Sequence, residues 1–122
     1  MTQEGVPKKE ESLEKMQESI PTAEEVRAVF EQLLSGKEFE EGRKHEDEKG
    51  LWLWEIVVKG RDGSYSEYAY VRKGRYAPLP GKSRGIEARD TAVCVAFYDA
   101  DGMPGGGETV ARFEEGAWKL LP

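Results

Sequence analysis

The chain has 122 residues, of which 38% are hydrophobic and 34% are charged, and its formal net charge is -6. This length fits one domain with a core of its own, and the acidic balance argues against generic binding to nucleic acid or to acidic membranes. A single cysteine, Cys94, excludes an intramolecular disulfide and a multi-cysteine zinc site. No apolar run approaches the length of a membrane span, and the first residues lack the hydrophobic centre of a signal peptide, so we expect a cytoplasmic protein.

The first twenty residues are rich in Glu, Lys, Gln and Ser and contain few large apolar side chains. Such a segment buries too little surface to offset the entropy lost on ordering. We therefore predict a mobile polar arm over residues 1–20 and a single α+β domain over residues 21–122. Within the arm, Leu13, Met16 and Ile20 would support a short helix only if another surface docks against them.

An amphipathic helix follows the arm. Thr22 is suited to the N-cap position, and Glu25, three residues later, completes a capping box. Apolar residues then recur at helical spacing, which predicts one buried stripe. The stripe consists of Val26, Val29, Phe30, Leu33 and Leu34. The helix is expected to end at Ser35-Gly36, because glycine accepts the left-handed conformation after a helix.

The rest of the chain favours antiparallel strands. The segment 51–59 is dense in aromatic and β-branched residues and is the clearest of them. Pro78 and Pro80 are expected to interrupt regular structure, and a glycine-rich stretch after Asp99 is expected to form a mobile connection. The other predicted elements are an edge strand over 38–46, strands over 64–73 and 90–99, and a closing hairpin over 107–121 that turns at 115–116.

One helix followed by five to six strands predicts an α+β fold, with the N-terminal helix packed on a curved antiparallel sheet. This outline is shared by cystatin-like and NTF2-like folds. Function does not follow from an outline of this kind.

Residues 81–85 spell G-x-S-x-G, the pattern that presents a nucleophilic serine in many hydrolases. That role requires a strand before the serine, a helix after it and a nearby histidine. Prolines precede Ser83, no helical pattern follows it, and the one histidine, His45, lies upstream in an acidic segment. We interpret Ser83 as a loop hydroxyl, and no residue is assigned a catalytic role.

The segment from Asp99 to Gly102 reads D-x-D-G, which opens many calcium loops. The twelfth position of such a loop would be Val110 instead of the required glutamate, so a plain turn is the simpler interpretation. Cys94 lies within an apolar strand and is expected to behave as a small hydrophobe. No metal or cofactor is predicted.

Aromatic residues on the strands suggest two further surfaces. Trp52 and Trp54 alternate with Ile56 and are expected to share its face and to pack against the helix. If the sheet instead curls into a cone, a pocket for a small molecule or a minor enzyme site would be lined by Trp52, Trp54, Tyr68, Tyr70 and Phe97. If the tyrosine face is exposed, Tyr68 and Tyr70 beside Arg72 would resemble a platform for stacked bases.

A basic loop, residues 72–89, is the most cationic part of the chain. Residues 51–90 carry a net charge of +3, whereas the segments on either side are acidic. The predicted partner-binding residues are Arg72, Lys73, Arg75, Tyr76, Lys82, Arg84 and Arg89. The leading hypothesis is a non-catalytic accessory module that contacts an anionic partner, most simply a protein, through this loop; an internal contact with residues 10–18 or 40–48 is the alternative explanation of its charge.

Overall fold

The computed structural model describes residues 20–78 and 85–122. Helix α1 (Ala23–Leu34) precedes eight strands. The strands are β1 (Glu40–Asp47), β2 (Gly50–Lys59), β3 (Tyr65–Val71), β4 (Tyr76–Pro78), β5 (Gly85–Glu87), β6 (Ala92–Tyr98), β7 (Pro104–Glu114) and β8 (Ala117–Leu120).

Six of these strands form one open antiparallel sheet in the order β1-β2-β3-β6-β7-β8, while β4 and β5 pair with each other. The predicted α+β class and the sheet of five to six strands are confirmed. The likeness to cystatin-like or NTF2-like folds, and the curvature that it implies, stay predictions. Within the described ranges, no helix is long and apolar enough to cross a membrane.

Helix α1 begins and ends where the sequence predicts. The hydroxyl of Thr22 accepts a hydrogen bond from the backbone of Glu25 (3.1 Å), and the Glu25 carboxylate accepts one from the backbone of Thr22 (2.9 Å). Ser35 and Gly36 both adopt positive φ angles, 52° and 84°. The capping box therefore satisfies two amide groups at the first turn, and the left-handed pair terminates the last turn.

The helix buries one stripe against one face of the sheet. Phe30 is fully buried, and the edge of its ring meets Trp54 with centroids 5.6 Å apart. Tyr70 is also fully buried, and its hydroxyl donates a hydrogen bond to the carbonyl oxygen of Leu51 (3.2 Å). The remaining buried members of this core are Val26, Val29, Leu34, Leu51, Ile56, Val93 and Ala111.

Strand β2 contains a β-bulge at Trp52. On the neighbouring strand, His45 lies opposite Leu53, and the next residue lies opposite Leu51, so Trp52 is the extra residue. Leu51 and Trp54 consequently both face the helix, whereas Leu53 packs with a second cluster on the opposite face of the sheet, and Trp52 packs against that cluster. The prediction that Trp52 shares the helix-facing side with Trp54 is therefore wrong, because the bulge shifts the alternation by one residue.

The segment between β3 and β6 leaves the sheet and returns to it. These two strands are direct neighbours in the sheet, so the described residues between them, 72–78 and 85–91, do not add a strand to it. Its sides pair as β4 and β5, with Tyr76 opposite Glu87, and the ladder continues as the Ala88 amide donates to the carbonyl of Arg75 (3.0 Å). The prolines were expected to exclude regular structure here; instead Pro78 lies in a short two-stranded ribbon, where an edge position tolerates a missing amide.

The glycine-rich stretch after Asp99 is largely a strand and not a simple connection. The Asp99 carboxylate accepts hydrogen bonds from the backbone amides of Asp101 and Met103, both 2.9 Å, and forms the turn that the sequence predicts. Strand β7 then pairs with β6, and a Cβ at Gly107 would lie 2.8 Å from the carbonyl oxygen of Val95. Glycine is required at this position for the two strands to approach.

Candidate interaction site

The basic loop begins with a partly buried ion pair. Arg72, directly after β3, is 7% exposed, and its guanidinium binds both carboxylate oxygens of Asp47 at the end of β1. One of these contacts is 2.9 Å, and the same nitrogen lies 3.4 Å from the carbonyl oxygen of Gly50. A two-point contact of this kind fixes the orientation of the Arg72 guanidinium as well as neutralising its charge. The start of the loop is therefore held against the β1–β2 turn.

A second contact involves the bulged tryptophan. The guanidinium carbon of Arg75 lies 4.0 Å from the centroid of the Trp52 ring, and one of its nitrogens lies 3.4 Å from the Asp47 carboxylate. The imidazole of His45 stacks on the same indole, with centroids 5.1 Å apart and planes 20° apart. The bulge therefore has a direct consequence for the loop, because it brings an indole to the side where a cation can rest on it.

The returning side of the loop is held by Thr91. Its hydroxyl accepts a hydrogen bond from the backbone of Lys73 (3.0 Å), and its carbonyl accepts one from Phe113 on β7 (2.8 Å). Both ends of the basic loop are thus joined to the sheet.

The carboxyl group of Asp47 is strongly perturbed by this arrangement. Its pKa is well below the ordinary value, chiefly because Arg72 donates hydrogen bonds to it, with further contributions from the Lys49 amide and from the charges of both arginines; burial acts in the opposite direction. The pKa of Arg72 is raised, chiefly by the hydrogen bond with Asp47. Both shifts favour the ionised pair.

This perturbation predicts a pH-dependent stability. A carboxyl group whose pKa is lowered by folding contributes stability above its unfolded pKa, near 4, and the contribution is lost as the pH falls below that value. We expect the difference in unfolding free energy between the wild type and Asp47→Asn to be largest at neutral pH and to shrink progressively below about pH 4. Urea unfolding measured at several pH values would establish the difference.

Glu38→Gln is a suitable control, because Glu38 is an exposed carboxylate two residues before β1 and takes no part in the ion pair. Its unfolding difference should stay small throughout. A difference for Asp47→Asn that is the same at neutral and at acidic pH would contradict the assignment of Asp47 as an ionised partner.

The structure divides the predicted partner-binding residues into four groups. Arg72 is buried and paired, Arg75 is half-buried, and Lys82 and Arg84 lie outside the described residues, as does Ser83. Lys73, Tyr76 and Arg89 are exposed, Tyr76 to 69%. Two exposed acids, Glu87 and Asp90, accompany them on the returning side, so the described part of the loop is less cationic than a count along the sequence suggests.

The five aromatic residues proposed for a ligand pocket do not share one lining. Trp54 and Tyr70 are buried beneath the helix, and Tyr68 packs at the margin of the same core. Trp52 lies on the opposite face, and Phe97 is 43% exposed. The physical reason is that α1 already fills the space over the aromatic strands. Tyr70 also has no accessible ring face on which a base could stack.

Sequence reasoning missed an open pocket of about 250 Å³ on the face of the sheet opposite the helix. Its walls come from β3, β6 and β7 and from the chain that returns from β5, and they include Val71, Ala88, Arg89, Ala92, Cys94 and Thr109. The sequence signal for this pocket was a set of small residues at alternate strand positions, which leaves room on that face of the sheet. These residues are Ala69 on β3 and Ala92, Cys94 and Ala96 on β6.

Two other motifs have simple structural surroundings. Cys94 lies with its sulfur 3.7 Å from the hydroxyl of Thr109, and Asp99 accepts the backbone hydrogen bonds of its own turn. Across residues 20–78 and 85–122, no three His, Cys, Asp or Glu side chains are grouped so as to hold a metal ion. The candidate site is therefore the basic loop and its contacts with β1 and β2. Comparison with protein-family models, with curated proteins and with solved structures gave no match to this chain.

Proposed function

We propose that the protein is a non-catalytic interaction module, located in the cytoplasm, which binds an acidic protein surface through its basic loop. The observation that supports this most directly is the way the loop is held. It lies between two neighbouring strands in the chain, Arg72 and Arg75 anchor its first end, and Thr91, just after its second end, accepts a hydrogen bond from the backbone of Lys73. The side chains of Lys73 and Arg89 remain exposed. Charged side chains on an anchored loop meet a partner at a lower entropic cost than those on an unrestrained one.

Charge favours a protein partner over a nucleic acid. The chain as a whole carries -6, which repels a polyanion, whereas the cationic region is confined to one part of the chain. The alternative of base stacking on Tyr68 and Tyr70 loses its support because Tyr70 is fully buried. Tyr76 is the exposed aromatic residue of the described loop, and one such side chain suits the centre of a small protein contact.

Affinity purification with two charge-matched variants tests this proposal. The loop variant removes cations that are exposed or that lie outside the described residues. It retains Arg72 and Arg75, because these two hold the loop in place. Its substitutions to serine are at Lys73, Lys82, Arg84 and Arg89. The control variant removes four exposed cations elsewhere, at Lys37, Lys59, Arg61 and Lys119.

We expect a partner to be recovered from a lysate of the source cells with the wild type and with the control variant, and its recovery to fall about tenfold with the loop variant, as for loss of several interfacial charges. Nuclease treatment of the lysate should leave recovery unchanged. Equal recovery with the loop variant would contradict the assignment of the loop, and recovery that nuclease abolishes would indicate nucleic acid instead.

A further inference from the structure

The position at which the N-terminal segment enters the described structure bears on the basic loop. Pro21 is buried, and Ile20 lies beside Gly50, where a Cβ would be 3.7 Å from its side chain. Gly50 lies opposite Asp47 in the β1–β2 ladder, and its carbonyl oxygen is 3.4 Å from the guanidinium of Arg72. Residues 1–19 therefore join the domain next to the anchored base of the loop.

The charges of the two regions are complementary. Residues 10–18 contain four glutamates and one lysine, a net charge of -3. At the base of the loop, Asp47 is already bound by Arg72 and is shared with Arg75 at 3.4 Å, while among residues 20–78 and 85–122 Lys73 forms no ion pair. Glu87 and Asp90 lie on the returning side of the loop and reduce the net positive charge there. An acidic segment is therefore expected to bind at Lys73 and Arg75.

The length of residues 10–18 and the spacing of their apolar side chains are also compatible with a contact at the base of the loop. Ten residues of extended chain span up to about 35 Å, so residues 10–18 are long enough to cross the base of the loop from Ile20. Leu13 and Met16 are spaced as neighbours on one side of a helical turn. Beside the cations of the loop lie two aromatic side chains, the half-buried Trp52 of β2 and the exposed Tyr76 of the loop itself.

We propose that residues 10–18 of the same chain bind the base of the basic loop, around Lys73, Arg75 and Tyr76, as an internal acidic ligand. The contact itself does not depend on the proposed function. A regulatory role for it does rest on the proposed function, because an external acidic partner would have to displace residues 10–18. In this proposal the charge of the loop is met in two ways: Asp47 binds Arg72, as the structure shows, and residues 10–18 bind the cations that remain.

Zero-length carbodiimide crosslinking of the full chain tests the contact without any partner. The reagent joins a carboxylate to a lysine amine only where the two touch, and tryptic peptides identify the pair. We expect Lys73 to be joined to glutamates of residues 10–18 about tenfold more than Lys37 and Lys119, which are exposed controls, because tethering gives a touching segment a high effective concentration. The yield should fall at about 0.5 M salt, where the Debye length is only a few ångströms.

An equal mixture of ¹⁵N-labelled and unlabelled chains separates internal from intermolecular contacts. The proposal predicts crosslinked peptides of uniform isotope content, and mixed pairs would overturn it by showing contact between copies. Crosslinking of Lys73 that is no greater than that of Lys37 and Lys119 would overturn it as well.

A second measurement covers the case in which the reagent fails. Substitution of the four glutamates, at Glu10, Glu11, Glu14 and Glu18, by glutamine should shift the backbone amide resonances of Lys73 and Tyr76, whereas the same change at Glu24, Glu31, Glu38 and Glu108 should not. Unshifted loop resonances would contradict the contact. Either result is independent of whether affinity purification finds a partner, so failure of this inference and failure of the proposed function are distinguishable.

Discussion

Phe30→Ala is expected to lower the free energy of unfolding by about 4 kcal/mol, the usual cost of removing a buried phenylalanine ring from a core. The side chain of Phe30 is completely buried. The centroid of its ring lies 5.6 Å from that of Trp54 and 6.5 Å from that of Phe39. Urea unfolding followed by tryptophan fluorescence would measure the loss. Gln32→Ala, on the exposed side of the same helix, should change the stability by less than about 0.5 kcal/mol.

The result also decides between two views of the aromatic face. If α1 fills the space above β2 and β3, loss of the Phe30 ring leaves a cavity that the fold cannot close without cost. A loss below about 1 kcal/mol would mean that the helix packs loosely over these strands. A ligand pocket lined by Trp54, Tyr68 and Tyr70 would then return as the better account of the aromatic residues.

Arg72→Met is expected to destabilise the protein by about 2 kcal/mol, because it removes both hydrogen bonds to Asp47 and leaves that carboxylate with a weaker partner. Methionine retains much of the volume of the arginine stem, so the loss reports mainly on the polar contacts. The side chain of Arg72 is only 9% exposed, which limits compensation by water. Thermal and urea unfolding of the variant would give the value.

Lys73→Met and Arg75→Met provide the comparison for this prediction. Lys73 is exposed, and the side chain of Arg75 is 38% exposed, so each substitution should cost about 1 kcal/mol or less. Equal losses at positions 72 and 75 would contradict the division between a structural arginine and a partly available one. The division matters in practice, because a loop variant that included Arg72 would lose binding through misfolding of the loop base.

The helix was predictable because its signals are local. The capping box needs only Thr22 and Glu25, and the buried stripe needs only the spacing of Val26, Val29 and Phe30. The left-handed termination at Ser35-Gly36 follows in the same way from the conformational freedom of glycine. Each of these features depends on residues less than five positions apart, so tertiary structure does not alter them.

The bulge at Trp52 was not predictable from alternation. Residues 52, 54, 56 and 58 read as one face of a regular strand, and the irregularity becomes visible only in the pairing of β2 with His45 and Glu46 on β1. Register is a property of two strands, and a shift of one residue transfers a side chain to the other face. The sequence of β2 alone therefore could not place its two tryptophans.

The ion pair at the base of the loop was hidden for a related reason. Asp47 and Arg72 are separated by 25 positions, and a count of charges along the chain assigns one to an acidic segment and the other to a basic one. The fold brings them together because β1 ends beside the end of β3, across β2. Counting predicted where cations are concentrated, but it could not tell which of them are already neutralised.

Because β2 carries one extra residue opposite His45 and Glu46, it places an indole on each face of one sheet. Trp54 packs edge-on with Phe30 in the core, and Trp52, two positions away, lies under the guanidinium of Arg75. A single irregular residue thus allows two tryptophans of one strand to make two different kinds of contact, a hydrophobic one and a cation–π one.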